Sequence, residues 1–394
     1  MDLPRTKIHA TLGPASRSPR VLAGLVAAGV SAFRLNLSHA LASETREVAQ
    51  AIRAEAAAQG RPVAILADLR GRKLRLGRLL GHQTMLRPGQ PFVLAPGQHP
   101  GTDEGAAVDC PSLAGLGTPG APVLLDDGAL RLRIERTDAA GHLHCTVEVG
   151  GELLEGCGVT FPHVALPLPA LTPKDLSDLD AVLAAGVDFL YFSYVQSADD
   201  IHTLRRELAR RGAHLPIVAK VERQVAIAHL DEIVAAADGI CVARGDLGVE
   251  VPWGRLPHVQ EQAVAVARAA GAMVVLGGEV LQSMTQHSRP FRAEATDLAV
   301  AVRQGVDAIV LSDETAIGAD PIRAVQTLAR LLEENEAVLG WPCAEGAPVQ
   351  TVCSVEEALQ ASQARGPERI VLDLPPAQQP LTPWLVNWWG ISAC

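Results

Sequence analysis

The sequence is poor in aromatic residues, long apolar runs and basic charge. Aromatic side chains make up only 3% of the 394 residues, so Leu, Val, Ala and Ile must fill most of the core. No stretch of about 18 apolar residues occurs, which argues against a membrane-spanning helix. The first five residues lack an apolar signal core. We therefore expect a cytoplasmic chain that does not associate with membranes.

The cysteines and the charge balance exclude further classes of protein. The seven cysteines are scattered, odd in number and without a CxxC motif. Neither a disulfide framework nor a zinc site is therefore predicted. A formal net charge of −10, from 34 basic and 44 acidic residues, argues against a general nucleic-acid-binding surface. The hydrophobic fraction of 48% allows a large core and excludes a disordered chain.

Strand and helix patterns alternate along two parts of the chain, which predicts βα units on a parallel sheet. Eight strands are predicted, at residues 7–13, 32–38, 63–69, 189–195, 216–222, 239–247, 273–280 and 308–315. Helices are predicted at residues 20–28, 43–59, 173–184, 199–211, 257–270, 293–304 and 321–339. Eight strands favour a (β/α)8 barrel of the TIM type, and an open doubly wound sheet is the alternative.

The alternation breaks at residues 78–163, where Gly and Pro are frequent and only short β runs occur. We predict a small β domain inserted after the third strand. The predicted organisation is thus 1–77 and 164–340 for the two parts of the barrel, and 341–394 for a short C-terminal remnant. In that remnant we predict a helix at 354–364 and a strand at 369–374. Its three tryptophans should pack on the barrel or on a second subunit, with stacking on a ligand as the alternative; they are Trp384, Trp388 and Trp389.

Charged side chains cluster where the predicted strands end, which is where barrels of this type carry their active sites. Glu222 and Asp246 would offer hard carboxylate oxygens to Mg²⁺ or Mn²⁺. Four basic residues nearby could bind phosphate or carboxylate, and Gly245 would let backbone N–H groups approach an anion. The basic residues are Arg34, Arg75, Lys220 and Arg244. The alternative is that these charges form only surface ion pairs.

Several segments resemble the pyruvate kinase family in order and spacing over residues 5–338. The matching segments are RTKI (5–8), TLGPAS (11–16), RLNLSH (34–39), VLLDDG (123–128), LTPKD (171–175), KVE (220–222), ARGDLGVE (243–250), RP with RAE (289–290, 292–294) and LSDETA (311–316). The resemblance implies an eightfold barrel with an inserted β domain, a divalent metal, a small anionic substrate and ADP or ATP. It also implies a homo-oligomer.

The resemblance also implies a role for individual residues. Glu222 and Asp246 would bind the metal, and Lys220 would stabilise the phosphoryl group in flight. Arg34 would contact the transferred phosphate. The N–H groups of Gly245 and Asp246 would hold the substrate carboxylate, with Arg244 and Gly278 beside them. Two residues match nucleotide-side positions, His39 and Arg75.

A monovalent-cation region is implied by three further matches, Asn36, Ser38 and Asp68. Lys73 stands where potassium-dependent members of the family have Glu. Because an ammonium group is a compact point charge, it can take the place of the cation. We therefore predict independence from K⁺. The alternative is a solvated loop lysine.

The sequence departs from the family at four places. Gly278 and Glu279 replace a Thr-Gln pair beside the substrate, so a hydroxyl is lost and a carboxylate is gained. Glu279 could act as acid or base, bind a cation or pair with Lys220. Gly156 and Cys157 stand where a nucleotide-binding lysine is expected. Leu69 replaces a threonine, and the family's Ser-Phe-Ile-Arg reads SYVQ at 193–196. We expect residues 341–394 to be only a remnant of the C-terminal domain that the family has.

Three functions remain open from the sequence. The first is transfer of phosphate between phosphoenolpyruvate and ADP, which needs positioning and charge neutralisation. The second is a metal-dependent lyase or decarboxylase acting on pyruvate, oxaloacetate or a related 2-oxo acid, in which the metal stabilises an enolate. The third is a non-catalytic binding protein, against which Lys220, Glu222 and Asp246 count together. We take the first as the leading hypothesis.

Overall fold

The structure is a computed structural model that describes residues 4–38, 42–339, 349–352 and 369–372. Three strands and two helices come first, and their sequence explains where they start. Ser18 caps the first helix by accepting a hydrogen bond from the Val21 N–H, and Pro19 occupies the first helical position. The elements are β1 (Lys7–Thr11), α1 (Pro19–Ala27), β2 (Ala32–Asn36), α2 (Ala42–Ala58) and β3 (Ala64–Leu69).

Eight short strands follow β3 and form two antiparallel-rich sheets around a second hydrophobic core. These strands are β4 (Gln83–Leu86), β5 (Pro91–Pro96), β6 (Gly105–Val108), β7 (Pro122–Leu125), β8 (Leu130–Thr137), β9 (Leu143–Val149), β10 (Gly151–Leu154) and β11 (Val159–Thr160). The larger sheet has the order β11-β7-β8-β9-β5-β6, and β10 pairs with β4. In β8, Leu130, Leu132 and Ile134 are buried at every second position, the pattern of a sheet with one face in a core.

The remaining elements resume the alternation. They are α3 (Pro173–Ala185), β12 (Phe189–Phe192), α4 (Ala198–Arg210), β13 (Ile217–Val221), α5 (Gln224–Ala228), α6 (Leu230–Ala236), β14 (Gly239–Ala243), α7 (Arg244–Glu250), α8 (Leu256–Ala269), β15 (Met273–Gly277), α9 (Arg292–Gln304), β16 (Ala308–Leu311), α10 (Asp313–Ala316), α11 (Pro321–Val338), β17 (Val349–Val352) and β18 (Arg369–Leu372). Thr172 and Asp175 form a capping box at the start of α3. The Asp175 carboxylate also accepts from the Gly71 N–H at 3.2 Å, which ties α3 to the end of β3.

Eight parallel strands close into a barrel in the order β1-β16-β15-β14-β13-β12-β3-β2. The predicted (β/α)8 barrel is therefore confirmed, and the open sheet is excluded. All residues of β3 and β13 are buried, because helices cover the outside of a barrel while side chains fill its inside. One buried polar pair lies in this region: His9 Nδ1 is 2.8 Å from the Tyr191 hydroxyl. Burial lowers the pKa of His9 to about 3, so its ring is neutral.

Seven of the eight predicted barrel strands are too long at their C-terminal ends, and only the third ends where predicted, at Leu69. The strand predicted at 239–247 ends at Ala243, and the one predicted at 308–315 ends at Leu311. A short helix follows each of them: α7 begins at the next residue, and α10 begins one residue later. Pairing of β14 with β15 ends at Ala243 and Gly277, so the residues beyond Ala243 are free to form a helix. The sequence also gave no prediction of α5 and α6, which are only five and seven residues long.

Buried polar side chains of the barrel hold the segment that returns from the inserted sheets. Arg223 donates to the carbonyls of Phe161 and Val164 at 3.2 and 3.0 Å. The Gln196 amide bonds to both the N–H and the carbonyl of Leu166. Residues 161–166 are thus fixed to the barrel next to the ends of β12 and β13.

The C-terminal prediction can be compared with the structure only in part. β18 overlaps the predicted strand at 369–374 and pairs in parallel with β17, which was not predicted. The predicted helix at 354–364 and the three tryptophans lie outside the described residues. Among the described helices, none combines the length and apolarity needed to span a bilayer.

Candidate active site

A compact cluster of charged side chains lies at the C-terminal ends of β2, β3 and β13. The Lys220 ammonium is 2.7 Å from Glu222 Oε1 and 3.2 Å from Asp68 Oδ2. Arg34 donates to the same Asp68 oxygen from Nε at 2.8 Å and from Nη2 at 2.6 Å. The Ser193 hydroxyl, just after β12, bonds to both Asp68 and Lys220. The structure thus brings together residues that lie more than 180 positions apart in the sequence.

Burial and opposite charges set the protonation of this cluster. Burial lowers the pKa of Lys220, but Asp68 and Glu222 outweigh it and the pKa is raised overall. Burial likewise raises the pKa of Asp68, yet Lys220 and Arg34 hold it below its usual value. Glu222 is only 1% exposed, and its pKa is raised because burial outweighs the attraction of Lys220. Lys220 and Asp68 are therefore charged, while Glu222 is the carboxyl least well compensated.

A second group, around Asp246, adjoins the first. The Lys73 ammonium lies 2.9 Å from Asp246 Oδ1 and 3.1 Å from Asp127 Oδ1. The Tyr194 hydroxyl donates to the same Asp246 oxygen at 2.6 Å. Burial raises the pKa of Asp246, but Lys73 and Lys220 outweigh it and the pKa is lowered overall. Asp246 therefore stays ionised between two ammonium groups.

Arg244 lies away from this group, which corrects the expectation that it lies beside Asp246 at the end of the strand predicted at 239–247. Both residues belong to α7, where two positions along the helix correspond to a rotation of about 200° about its axis, so their side chains lie on nearly opposite faces. The Arg244 guanidinium forms an ion pair with Asp297 at 2.6 Å and donates to the Gly278 carbonyl at 3.0 Å. It thus supports the turn after β15, and only Asp246 joins the Lys73 group.

The turn at Gly278 and Glu279 has a backbone that suits glycine. Gly278 has φ +90°, and a Cβ placed there would lie 2.5 Å from the Gly245 N atom and 3.0 Å from the Arg244 N atom. Glu279 also has a positive φ, of 54°, and its side chain is exposed. Of the three roles open to Glu279, pairing with Lys220 is not found, since Lys220 contacts Asp68, Glu222 and Ser193 instead.

Replacing Gly278 with Thr is expected to lower the free energy of unfolding by about 1–3 kcal/mol, because the side chain would be forced into a left-handed conformation against Gly245. Chemical denaturation at neutral pH measures the effect. Gly254→Ala is the matched control, since a Cβ at Gly254 meets no atom within 4 Å. A Gly278→Thr protein as stable as the parent would contradict the prediction.

The two carboxylates of these groups fit a hard divalent cation. Glu222 and Asp246 line one cleft of about 330 Å³. Within the described residues no cluster of three or more His, Cys, Asp or Glu side chains could hold a metal. An ion here would use these two carboxylates and leave other positions to water or substrate oxygens, as Mg²⁺ and Mn²⁺ commonly do. Burial is the first cause of the raised pKa of Glu222, so its ionised form is disfavoured, and a dication would supply the positive charge that stabilises it.

The other predicted site residues are placed less centrally. The Asn36 side chain accepts from the Ser38 N–H at 3.1 Å, a local turn after β2. Of the proposed cation region, only Asp68 contacts the Lys220 cluster, and Lys73 contacts Asp246 and Asp127 instead. Arg75 donates to the Gly156 carbonyl at 3.0 Å. His39 lies outside the described residues.

Three residues of these groups were not identified from the sequence. Ser193 and Tyr194 directly follow β12, so the rule that selected the other strand ends applies to them equally. Asp127 lies after β7 in the inserted sheets and meets Lys73 across 54 positions of sequence. No local pattern predicts that contact, because it depends on how the inserted sheets rest on the barrel.

The chain is similar in sequence and in structure to known pyruvate kinases. The family model described as pyruvate kinase, barrel domain, matches residues 3–325. The chain is 42% identical over 332 residues to a pyruvate kinase from Methylorubrum extorquens, covering 84% of this chain and 69% of that protein. It is 40% identical over 335 residues to pyruvate kinase 2 from Synechocystis sp., covering 84% and 57% respectively. A crystal structure of a pyruvate kinase from Cryptosporidium parvum is similar with a TM-score of 0.92 and 27% identity, over 99% of this chain and 87% of that one.

Proposed function

The chain belongs to the pyruvate kinase family and is a phosphotransferase enzyme, and on that premise we propose that it transfers phosphate between phosphoenolpyruvate and ADP with Mg²⁺ and without K⁺. One observation carries the proposal: the Lys220 ammonium lies within 3.2 Å of both Glu222 and Asp68, with Arg34 on the same Asp68 oxygen. Two cations held at the barrel mouth are what a phosphoryl group in transfer requires.

Arg34 and Lys220 act on the transferred phosphoryl group. Arg34 is held by Asp68 and by the Thr11 hydroxyl at 3.0 Å, so its guanidinium is oriented before substrate arrives. Lys220 is fixed by three partners and is charged. Groups that are already oriented need no rearrangement as charge develops, which is why they stabilise a transition state more than mobile groups do.

Gly245 and Asp246 would bind the substrate carboxylate through their N–H groups, and Glu222 and Asp246 would bind the metal through their side chains. Because α7 begins at Arg244, the N–H groups of Gly245 and Asp246 lie in its first turn and have no acceptor within the helix. These N–H groups can therefore donate hydrogen bonds to the carboxylate of a substrate. Glu222 and Asp246 would hold Mg²⁺, which when bound neutralises charge on substrate oxygens.

Arg75 supplies positive charge for the nucleotide. The lysine that the family has before Gly158 is replaced by Gly156 and Cys157. The Arg75 guanidinium donates to the Gly156 carbonyl, so it lies beside the segment in which the family has that lysine. A guanidinium can bind phosphate through two parallel hydrogen bonds, so Arg75 would keep a phosphate contact although the lysine is lost.

Lys73 is the basis for independence from K⁺. Burial lowers its pKa, but Asp246 and Asp127 outweigh burial and raise it overall, so the ammonium is charged. It provides a permanent positive charge beside Asp246, while Arg34 and Lys220 balance Asp68. With these cations built in, a monovalent ion is not needed to balance the carboxylates.

Purified protein with Mg²⁺, phosphoenolpyruvate and ADP is therefore expected to form ATP and pyruvate at the same rate in K⁺ and in tetramethylammonium salts of equal ionic strength. Lys73→Glu places a third carboxylate beside Asp127 and Asp246, so its activity should fall in tetramethylammonium and recover in K⁺. The control is Arg330→Glu, since Arg330 forms an exposed ion pair with Glu334 within α11. Parent activity that requires K⁺ would contradict the role of Lys73.

A lyase or decarboxylase acting on a 2-oxo acid is the second candidate. The observation that favours it is the turn at Gly278, which lacks the family's hydroxyl and presents the exposed Glu279 carboxylate instead. The same paired carboxylates would serve an enolate without any nucleotide. Oxaloacetate cleavage that needs Mg²⁺, with no ATP formed from phosphoenolpyruvate and ADP, would support this function over the first.

A further inference from the structure

Tyr194 connects the two carboxylates of the cleft. It follows β12 with φ +57°, an uncommon conformation for a bulky side chain. Its backbone N–H donates to Glu222 Oε2 at 2.7 Å, and its hydroxyl donates to Asp246 Oδ1 at 2.6 Å. One residue thus holds both acidic groups, and the surroundings must stabilise its strained backbone. The family has Phe at this position, which has no hydroxyl to donate.

The hydrogen bonds determine which carboxylate oxygen stays available. Asp246 Oδ1 accepts from both Lys73, at 2.9 Å, and Tyr194. Among the described residues, no hydrogen bond reaches Asp246 Oδ2. With Oδ1 occupied on two sides, rotation of the carboxylate is restricted, and Oδ2 is the oxygen left for a ligand. Glu222 differs from Asp246, because each of its two oxygens has one partner: Lys220 on Oε1 and the Tyr194 N–H on Oε2.

We propose that the Tyr194 hydroxyl is a positioning group that orients Asp246 for binding a hard divalent cation. The proposal rests on the proposed function, because it assumes that Glu222 and Asp246 bind the metal. Hydrogen bonds to the far side of a metal ligand commonly fix its orientation and raise the affinity of the site. Here the hydroxyl acts on Asp246 from the end of a neighbouring barrel strand, so the ligand is aligned before the ion arrives.

The test is a titration of the protein with Mn²⁺ in the absence of substrate. The concentration of free Mn²⁺ is measured by electron paramagnetic resonance. Tyr194→Phe is expected to raise the Kd about 10-fold, at the lower end of the effect usual for losing such a partner. Tyr191→Phe is the matched control, since it removes a buried hydroxyl bonded to His9 and should leave the Kd unchanged. Thermal unfolding of each variant sets the temperature at which binding is measured.

The outcomes separate this proposal from the function on which it rests. If the parent protein binds Mn²⁺ and Tyr194→Phe binds it equally well or more tightly, the role of Tyr194 is overturned and the metal site stands. If the parent protein does not bind Mn²⁺ at all, both the metal site and the role of Tyr194 are overturned. An equal loss in Tyr191→Phe and Tyr194→Phe would also overturn the proposal, because it would show a general effect of losing a buried hydroxyl.

Discussion

Replacing Lys220 with Met should lower the kcat for ATP formation by about 10³-fold or more. This is the usual effect of losing one group that stabilises charge in the transition state of phosphoryl transfer. Methionine keeps much of the side-chain volume and removes the ammonium. The variant leaves Glu222 and Asp246 in place, so Mn²⁺ binding should persist. Comparing kcat with the Mn²⁺ dissociation constant therefore separates loss of chemistry from loss of the metal.

Arg330→Met is the control for this prediction. Arg330 forms an exposed ion pair with Glu334 within α11. Its removal should leave kcat unchanged, and both variants should keep the circular dichroism of the parent. Turnover by Lys220→Met at the parent rate would remove Lys220 from the mechanism, whatever the fate of the metal.

The barrel could be predicted because its signal is repeated. Eight apolar strand patterns separated by helical ones leave few architectures, and each strand predicted for the barrel overlaps an observed one. Strand ends were harder, because apolar residues continue past the last paired position. Leu247 is buried as a helix residue of α7, although its hydrophobicity is equally typical of a strand. The last four residues of the strand predicted at 239–247 were therefore wrong, because they belong to α7.

The cluster around Lys220 was accessible from the sequence because a closed barrel brings successive strand ends together. Arg34, Asp68 and Glu222 needed only that rule. The contacts of Lys73 did not follow from it. Lys73 meets Asp127 from the inserted sheets, and the position of those sheets depends on the segment at 161–166 that Arg223 and Gln196 hold. Such contacts depend on tertiary packing, which no spacing of residues along the chain reveals.

Replacing Arg223 with Met is expected to lower the free energy of unfolding by about 3–5 kcal/mol, because it leaves the buried Glu250 carboxylate without its cation. Arg223 and Glu250 are 3% and 5% exposed, and Arg223 Nε lies 2.6 Å from Glu250 Oε1. The same guanidinium donates to the Phe161 and Val164 carbonyls, so those acceptors also lose a partner. Chemical denaturation of the full-length chain measures the change.

Two comparisons show whether this loss comes from the unpaired charge. Arg323→Met breaks an exposed ion pair with Asp320 and should change stability by less than about 1 kcal/mol. The double replacement of Arg223 by Met and Glu250 by Leu removes both charges, and it should recover much of the stability lost in Arg223→Met, since buried ion pairs are often replaceable by apolar groups of similar volume. If the double variant is no more stable than Arg223→Met, the loss comes from the hydrogen bonds to the segment at 161–166. That segment, rather than the ion pair, would then be what Arg223 stabilises.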